Sequence, residues 1–525
     1  MELLRHAARV ASGLLALAAL PAVAAESTAT AAIDADVAAV FEHAHLPGLA
    51  MAVVEQGRVV YQHAEGARGD GGRIDEDTLF KIASNSKAMT AALLARLVEQ
   101  GRLRWDDPVR KHLPGFTMHD PWVGEHMQVR DLLIHNSGLG LGAGDLMLWP
   151  EPNAYTRADI IAGLAHLKPV TSFRSGYAYD NLMYVVAGEV AAAAGGKPYD
   201  QLMREQVFAP LGMDRCQVGA WSVKRVGNVA QPHARRKGHN VVVNADGATS
   251  PDLTSMAAGG IRCSLRDMTR WMQVLLDPAL VPGWLGRDQR STLWTLHMPM
   301  PLGERQRRWD NAHFMGYGYG WRVSDMDGQL KVAHTGTLSG MYSSLALLPD
   351  RKMGVVMLMN GESEDARTVL MQSVLKRFTA PAEGQTAQDY LFALADERAH
   401  TFFDAEVVEY PDPVEPGAGA LKAQQGRYRD PWLGEALLCP VAGKLRFEVL
   451  RSPKLAATVM QQGSQWLLPW DTLEVSAQVW LKVDDGAPRT LQLVPIDIDI
   501  DFSYDFQDLH FTRVGDCPGG QRARR

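Results

Sequence analysis

Cysteine is scarce in this chain, four among 525 residues, and no Cys/His spacing resembles a zinc site. His43-Ala44-His45 looks at first like a metal pair, but no Asp-His follows it, so these histidines read as packing or solvent-facing groups. Runs of lysine or arginine are also missing, and a formal charge of −7 leaves no basic face for nucleic acid. No stretch reaches the ~18 consecutive apolar residues of a membrane-crossing helix. A G-x-S-x-G elbow is absent, which argues against the commonest fold of exported esterases. What remains is an ordinary globular composition, 46% hydrophobic and 22% charged, long enough for two or three domains.

The first residues have the character of a leader. Arg5 and Arg9 precede an apolar stretch from Val10 to Leu20, then Pro21 and the small run Ala22-Val23-Ala24-Ala25. A charged start, a short apolar middle and an A-x-A exit predict a secretory signal peptide cut after Ala24 or Ala25, and a periplasmic or secreted protein. Removing residues 1–25 takes away Glu2, Arg5 and Arg9 and leaves 51 basic against 59 acidic residues, a formal charge of −8. Export permits disulfides among Cys216, Cys263, Cys439 and Cys517. Four cysteines allow three connectivities, and free thiols are an equal alternative.

Periodicity divides the remainder. Leu49–Val54 and Arg58–Gln62 flank Glu55-Gln56-Gly57 as a hairpin. Lys87–Leu103 reads as a helix with Met89, Leu93, Leu94, Leu97 and Val98 on one stripe and Gly101 closing it. Helical patterns dominate residues 130–215. Short strands follow at 320–323, 330–333, 342–348 and 353–359. An early hairpin and late strands around helices imply one domain whose sheet joins distant segments. A helix near Ala387–Phe403 leads into a Pro/Gly-rich linker at 410–420, and short alternating strands from Gln425 to Val514 predict a small β-barrel or sandwich. Within it, residues 496–506 alternate strictly, which places Asp497, Asp499, Asp501 and Asp505 on one face of a strand, either solvated or relieved by a cation or an arginine.

Ser84-Asn85-Ser86-Lys87 opens the first long helix. Residues three apart share a helical face, so the Ser84 hydroxyl and the Lys87 amine come within reach, and a helix start favours the negative charge that builds on an attacked carbonyl. Lysine serves as a base only if burial or a neighbouring cation brings its pKa well below about 10.4. The spacing alone is weak, since Ser373-Val-Leu-Lys376 repeats it where an amphipathic helix with an exposed lysine is expected. Two further elements add weight. Tyr179-Asp180-Asn181 supplies a phenol that can relay a proton and an amide that can hold a substrate. His334-Thr335-Gly336 precedes a strand, and Gly336 would let substrate approach the backbone.

With these three elements in this order, the chain resembles the serine β-lactamase and penicillin-binding-protein superfamily, in particular class C β-lactamase-related, S12-type serine hydrolases. The resemblance covers roughly residues 45–375. It is carried further by Leu46-Pro47-Gly48-Leu49, Thr78–Ser84, Asp106-Asp107-Pro108-Val109, Leu132–Leu139, Ala258-Gly259-Gly260 and Gly316–Trp321. Tyr428–Trp432 and the run at 501–505 resemble the lipocalin-like barrel attached to some of these hydrolases.

The resemblance implies an α+β fold: an antiparallel sheet with flanking helices and an all-helical subdomain, followed by a small all-β barrel. The expected division is signal peptide 1–25, hydrolase domain 26–382, helix and linker 383–420, barrel 421–515 and tail 516–525. It implies Ser84 as the acylated nucleophile, Lys87 as its proton partner and Tyr179 as general base or relay. Asn181, His334, Thr335 and Gly336 would bind substrate, and the N–H groups of Ser84 and Thr337 would form the oxyanion hole. His135, Ser137 and Gly138 are read as scaffold. No metal or cofactor is called for. The expected partners are a small molecule, a peptide with or without D-amino acids, an ester or a peptidoglycan fragment, and oligomerisation is compatible.

One departure bears on substrate. Many β-lactamases of the superfamily carry lysine where this chain has His334, and an imidazole is mostly neutral at pH 7, so the anchor for a substrate carboxylate is expected to be weak. That favours a peptide or ester without an essential carboxylate over a class C-like β-lactam substrate or a D-alanyl-D-alanine terminus. A sensor that acylates and stalls is the reading from outside enzymology.

Overall fold

A computed structural model describes residues 20–403, 411–472, 474–475, 477–497 and 500–519, with the side chains of 20–29 and 400–403 excepted. Residues 1–19 of the expected leader lie outside the described residues. Helix α1 spans Leu20–His43 and takes in Ala24 and Ala25. Strands β1 (Gly48–Glu55) and β2 (Arg58–Gly66) form the expected hairpin. Gln56 and Gly57, at φ 49° and 78°, supply the two left-handed residues of a turn whose twist matches its strands.

The later strands are β3 (Met298–Pro299), β4 (Met315–Tyr317), β5 (Arg322–Met326), β6 (Gln329–Leu338), β7 (Met341–Leu348) and β8 (Met353–Met359). They join the hairpin in one antiparallel sheet of eight strands ordered β2-β1-β8-β7-β6-β5-β4-β3. Leu49 pairs with Met359 and Glu55 with Met353, so the first and last strands of the sheet in sequence are central neighbours in space.

Period-two alternation gives the sheet two faces. Leu49, Met51 and Val53 of β1, with Val355, Met357 and Met359 of β8, pack in one cluster with α1, α5 (Glu364–Thr379) and the start of α6 (Ala387–Phe403). Ala50, Ala52 and Val54, with Val356 and Leu358, face the opposite cluster. That cluster holds α2 (Ser86–Glu99), α3 (Leu182–Gly195) and α4 (Leu265–Leu276). The helix at 387–403, expected to lead into the linker, therefore also covers the sheet through Ala387, Tyr390, Leu391 and Leu394. Gly101, at φ 67°, stops the helical run as expected.

Beyond the linker, nine antiparallel strands form a second sheet from β9 (Gly426–Asp430) and β10 (Gly434–Val441) to β16 (Thr490–Pro495) and β17 (Phe511–Gly515). An Ala457–Trp470 bridge ties its margins into the expected barrel. The barrel is seated on the domain built around the eight-stranded sheet. Tyr155 Oη donates to the Leu433 carbonyl at 2.7 Å, and Arg451 pairs with Asp159 at 2.6 Å. Of the open disulfide connectivities, the chain adopts Cys216–Cys263 and Cys439–Cys517, one in each domain.

Two expectations are corrected. The described residues of the alternating segment 496–506 form no strand: β16 ends at Pro495, and a turn follows in which Ser503 N–H donates to Asp501 Oδ1 at 3.0 Å. Its carboxylates compete with a sheet ladder for backbone N–H groups. Ile498 and Asp499 lie outside the described residues, and among the described residues no cluster of three His, Cys, Asp or Glu could hold a metal ion. Lys376 of the second S-x-x-K is buried rather than exposed, paired with Asp327 at 2.9 Å, while Ser373 donates to its own helix at Leu370.

Candidate active site

Ser84 sits in a 3-10 turn, Ala83–Asn85, immediately before α2. Ala83 is left-handed at φ 48°, a conformation that costs energy in a residue with a Cβ and persists only where its surroundings impose it. Those surroundings are visible. Ser343 Oγ on β7 donates to the Ile82 carbonyl at 2.7 Å and accepts from Asn85 Nδ2 at 2.8 Å, and Ile261 N–H donates to Ser86 Oγ at 3.2 Å. The turn is clamped on both sides of the serine.

Lys87 is fully buried on the first turn of α2. Its Nζ donates to Asn181 Oδ1 at 2.7 Å, to the Ala258 carbonyl at 2.9 Å and to Ser84 Oγ at 3.1 Å. Burial, reinforced by the Arg322 cation and opposed by Asp145 and Asp180, brings its pKa down to about 7. A neutral amine 3.1 Å from a hydroxyl can take its proton. The requirement for a dry pocket is thus met by desolvation rather than by a single neighbouring cation.

Tyr179 and Asn181 lie just ahead of α3, and both are buried. The Tyr179 ring centroid is 4.8 Å from Lys87 Nζ, and the Ser84 hydroxyl slightly favours the ionised form of the phenol. Burial raises its pKa, so near neutral pH it is a protonated relay and not a standing phenolate. Asp180 holds the segment in place: it accepts from Leu182 N–H at 2.9 Å and Ser137 Oγ at 3.1 Å, while its own N–H donates to His135 Nδ1 at 3.0 Å. His135 and Ser137 thus brace this segment through Asp180, and Gly138 turns the chain at φ 90°.

The opposite wall is β6. His334 is buried, with Nδ1 donating to the Thr335 carbonyl at 2.7 Å and Nε2 accepting from Tyr317 Oη at 2.7 Å. Both ring nitrogens are occupied, and burial with the Arg322 and Lys87 cations holds the imidazole neutral. Gly336 serves packing: a Cβ there would lie 2.3 Å from the Ile82 carbonyl and 2.4 Å from Ser343 Oγ, so glycine brings β6 against the nucleophile turn. Arg367 of α5 donates to the Gly336 carbonyl at 3.1 Å and to Thr337 Oγ1 at 2.6 Å, fixing the end of the strand.

Arg322, to which the sequence reading assigned no role, adds a cation beside β6. Gly320, at φ 78°, would place a Cβ 2.7 Å from the Lys87 carbonyl, so its lack of one lets the entry to β5 pass over α2. Arg322 then reaches Thr335 Oγ1 at 3.2 Å and lies 5.9 Å from the Tyr179 ring centroid. Burial works against its charge, but Tyr177, Tyr317 and Tyr179 outweigh that and its pKa is raised. No carboxylate is paired with it among the described residues. A guanidinium thus stands on the strand next to the one that carries His334.

Asp145 and the barrel turn at 502–505 were also missed. Asn181 Nδ2 donates to Asp145 Oδ2 at 2.7 Å, and Phe502 meets the Tyr179 ring edge-on at a 5.7 Å centroid distance. No periodic pattern points to these contacts, because they join separate segments, 36 residues apart for Asn181 and Asp145 and more than 300 apart for Tyr179 and Phe502.

A central antiparallel sheet between helical layers, with a clamped serine bonded to a buried lysine, defines a serine hydrolase of the β-lactamase and penicillin-binding-protein superfamily. The Beta-lactamase family profile matches residues 30–376, and the chain belongs to that family. It is 28% identical to penicillin-binding protein 4 of Amycolatopsis lactamdurans over 327 residues, 61% of this chain and 82% of that protein. It is 26% identical to the D-alanyl-D-alanine-carboxypeptidase/endopeptidase AmpH of Escherichia coli K12 over 353 residues, 64% and 82% of the two chains. The structure of the octameric penicillin-binding protein homologue from Pyrococcus abyssi shares the fold, with TM-score 0.58, 19% identity and coverage of 92% of this chain and 99% of that one. Among the described residues no helix is long and apolar enough to cross a membrane.

Proposed function

We propose that this protein is an exported serine hydrolase that acylates Ser84 and cleaves peptides ending in a free carboxylate, D-amino-acid termini included. Lys87, neutral in part near pH 7, takes the proton of Ser84 as Oγ attacks the scissile carbonyl. The N–H groups of Ser84 and Thr337 receive the developing oxyanion, a role worth about 10² to 10³ in rate per donor. Tyr179 passes the proton to the departing amine as the C–N bond breaks, and water later releases the acyl group by the reverse relay. Asn181 holds the peptide on one side and β6 on the other.

The observation that carries the substrate class is Arg322, a charged guanidinium beside Thr335 with no carboxylate of its own. A carboxylate one residue beyond the scissile bond would complete it. The names of two relatives, a penicillin-binding protein and a D-alanyl-D-alanine-carboxypeptidase/endopeptidase, support the same class.

The test compares an acylated D-Ala-D-Ala peptide with its C-terminal amide, alongside p-nitrophenyl acetate and a chromogenic cephalosporin, in wild type and Ser84→Ala. Preference for the free acid, lost in Ser84→Ala, is the expected result. Equal turnover of acid and amide would remove the anchor. Stoichiometric labelling with no product release would make the protein a sensor instead.

A further inference from the structure

The barrel is joined to the nucleophile by hydrogen bonds. Its turn at 501–505 enters the hydrolase domain beside Gly142, where a Cβ would lie 2.3 Å from the Phe502 carbonyl, and Gly142 N–H in turn donates to the Tyr179 carbonyl at 2.9 Å. Asp505 is fully buried there and accepts from the N–H groups of Gly144 and Leu146, the residues on either side of Asp145. Ser503 Oγ donates to Asp145 Oδ2 at 2.9 Å. The same carboxylate oxygen accepts from Asn181 Nδ2 at 2.7 Å, and Asn181 Oδ1 accepts from Lys87 Nζ at 2.7 Å.

An amide has one donor end and one acceptor end. With its donor end taken by Asp145, Asn181 must present oxygen to Lys87. Released from Asp145, it is free to turn over and present an NH₂ group to an amine that also donates. Asp145 is itself a fully buried carboxyl group whose pKa burial raises well above the usual carboxylate range, and among the described residues its Oδ1 has no hydrogen-bond partner, a costly arrangement to keep unless it has work at the site.

We propose that Asp145, held in place by Ser503 and Asp505 of the barrel, is a positioning residue that fixes Asn181 and through it Lys87, so that the barrel completes the catalytic centre of the hydrolase domain. The proposal rests on the reading of Ser84 as nucleophile and Lys87 as its base. It gives the barrel a part in the chemistry in addition to any role in covering the site.

The full-length protein tests it, with p-nitrophenyl acetate turnover and the rate of fluorophosphonate labelling as readouts. Ser503→Ala is expected to lower kcat about fivefold at unchanged KM, and Ser503→Thr, which keeps the hydroxyl, to restore it. Asp145→Ala is expected to cost about 30-fold, and the double variant to be no slower than Asp145→Ala alone, because both act through one carboxylate. Effects that add, a change confined to KM, or wild-type rates in Ser503→Ala would overturn the proposal. Should Asp145→Ala not fold, the Ser503→Ala and Ser503→Thr pair decides by itself. Labelling that survives Ser84→Ala would instead defeat the underlying catalytic reading, and that control separates the two failures.

Discussion

The guanidinium of Arg322 donates to the Thr335 hydroxyl at 3.2 Å, which sets a fixed cation on β5 beside the strand that carries His334. At this wall β6 carries hydroxyls and backbone, and β5 carries charge.

Arg322→Gln should therefore act on substrate selection. For a peptide with a free terminal carboxylate, a loss of about 10- to 100-fold in kcat/KM is expected, the range of a charge-assisted hydrogen bond. Neutral p-nitrophenyl acetate should change by less than about threefold. Steady-state kinetics on the pair checks this, and an equal loss on both substrates would assign Arg322 to structure alone.

Lys87 sets the pH dependence. Its pKa is brought down to about 7 from the ordinary 10.5, chiefly by burial, and the neutral amine is the base. Rate should then rise with pH through about 7, with an acidic limb in kcat/KM that Lys87→Ala abolishes along with activity. The linkage has a definite sign. Between about 7 and 10.5 the unfolded chain holds a proton that the folded chain has released, so this group makes the fold more stable as pH rises through that window. Denaturant midpoints of wild type and Lys87→Met across the window measure it.

Gly336→Ala tests how closely β6 must lie against the nucleophile turn. The added methyl would meet the Ile82 carbonyl at 2.3 Å and Ser343 Oγ at 2.4 Å, and the backbone carbonyl has little room to yield. A loss of about 1–3 kcal/mol in stability is expected, with a fall in kcat larger than that destabilisation explains at 25 °C. Melting curves and kcat measured together distinguish this from a role for Gly336 in substrate contact, which would show chiefly in KM.

The Cys439–Cys517 bridge fastens the segment after β17 to β10 and closes a separation of 78 residues. Replacing both cysteines by serine should cost about 2–4 kcal/mol of stability. Because the barrel turn holds Asp145, activity should fall at a lower denaturant concentration in that variant than in wild type. Parallel curves of activity and tryptophan fluorescence check the coupling.

Much of the site was legible in sequence because its parts are local. Ser84 and Lys87 are one helical turn apart, Tyr179 and Asn181 two residues apart, and His334 to Thr337 lie on one strand, so short spacing carried their geometry. The hairpin at 55–57 and the closing strands of the sheet were legible for the same reason, since turn chemistry and period-two alternation are properties of short windows. Strict alternation misled at 496–506, where carboxylates take backbone donors from a turn and from the hydrolase domain instead of lining a strand. Lys376 misled as well, because a helical position that seems free in sequence is buried against Asp327.

By itself the sequence determined the family, the order of domains and the identity of the candidate nucleophile and its amine, all consequences of residue spacing along the chain. Only the tertiary structure decided that Arg322 stands beside Thr335 on the strand next to His334, that Lys87 is dry enough to lose its proton, and that Ser503 of the barrel reaches Asp145. Charge, desolvation and hydrogen-bond reach depend on what surrounds a group in three dimensions, and those surroundings here come from segments up to 358 residues apart.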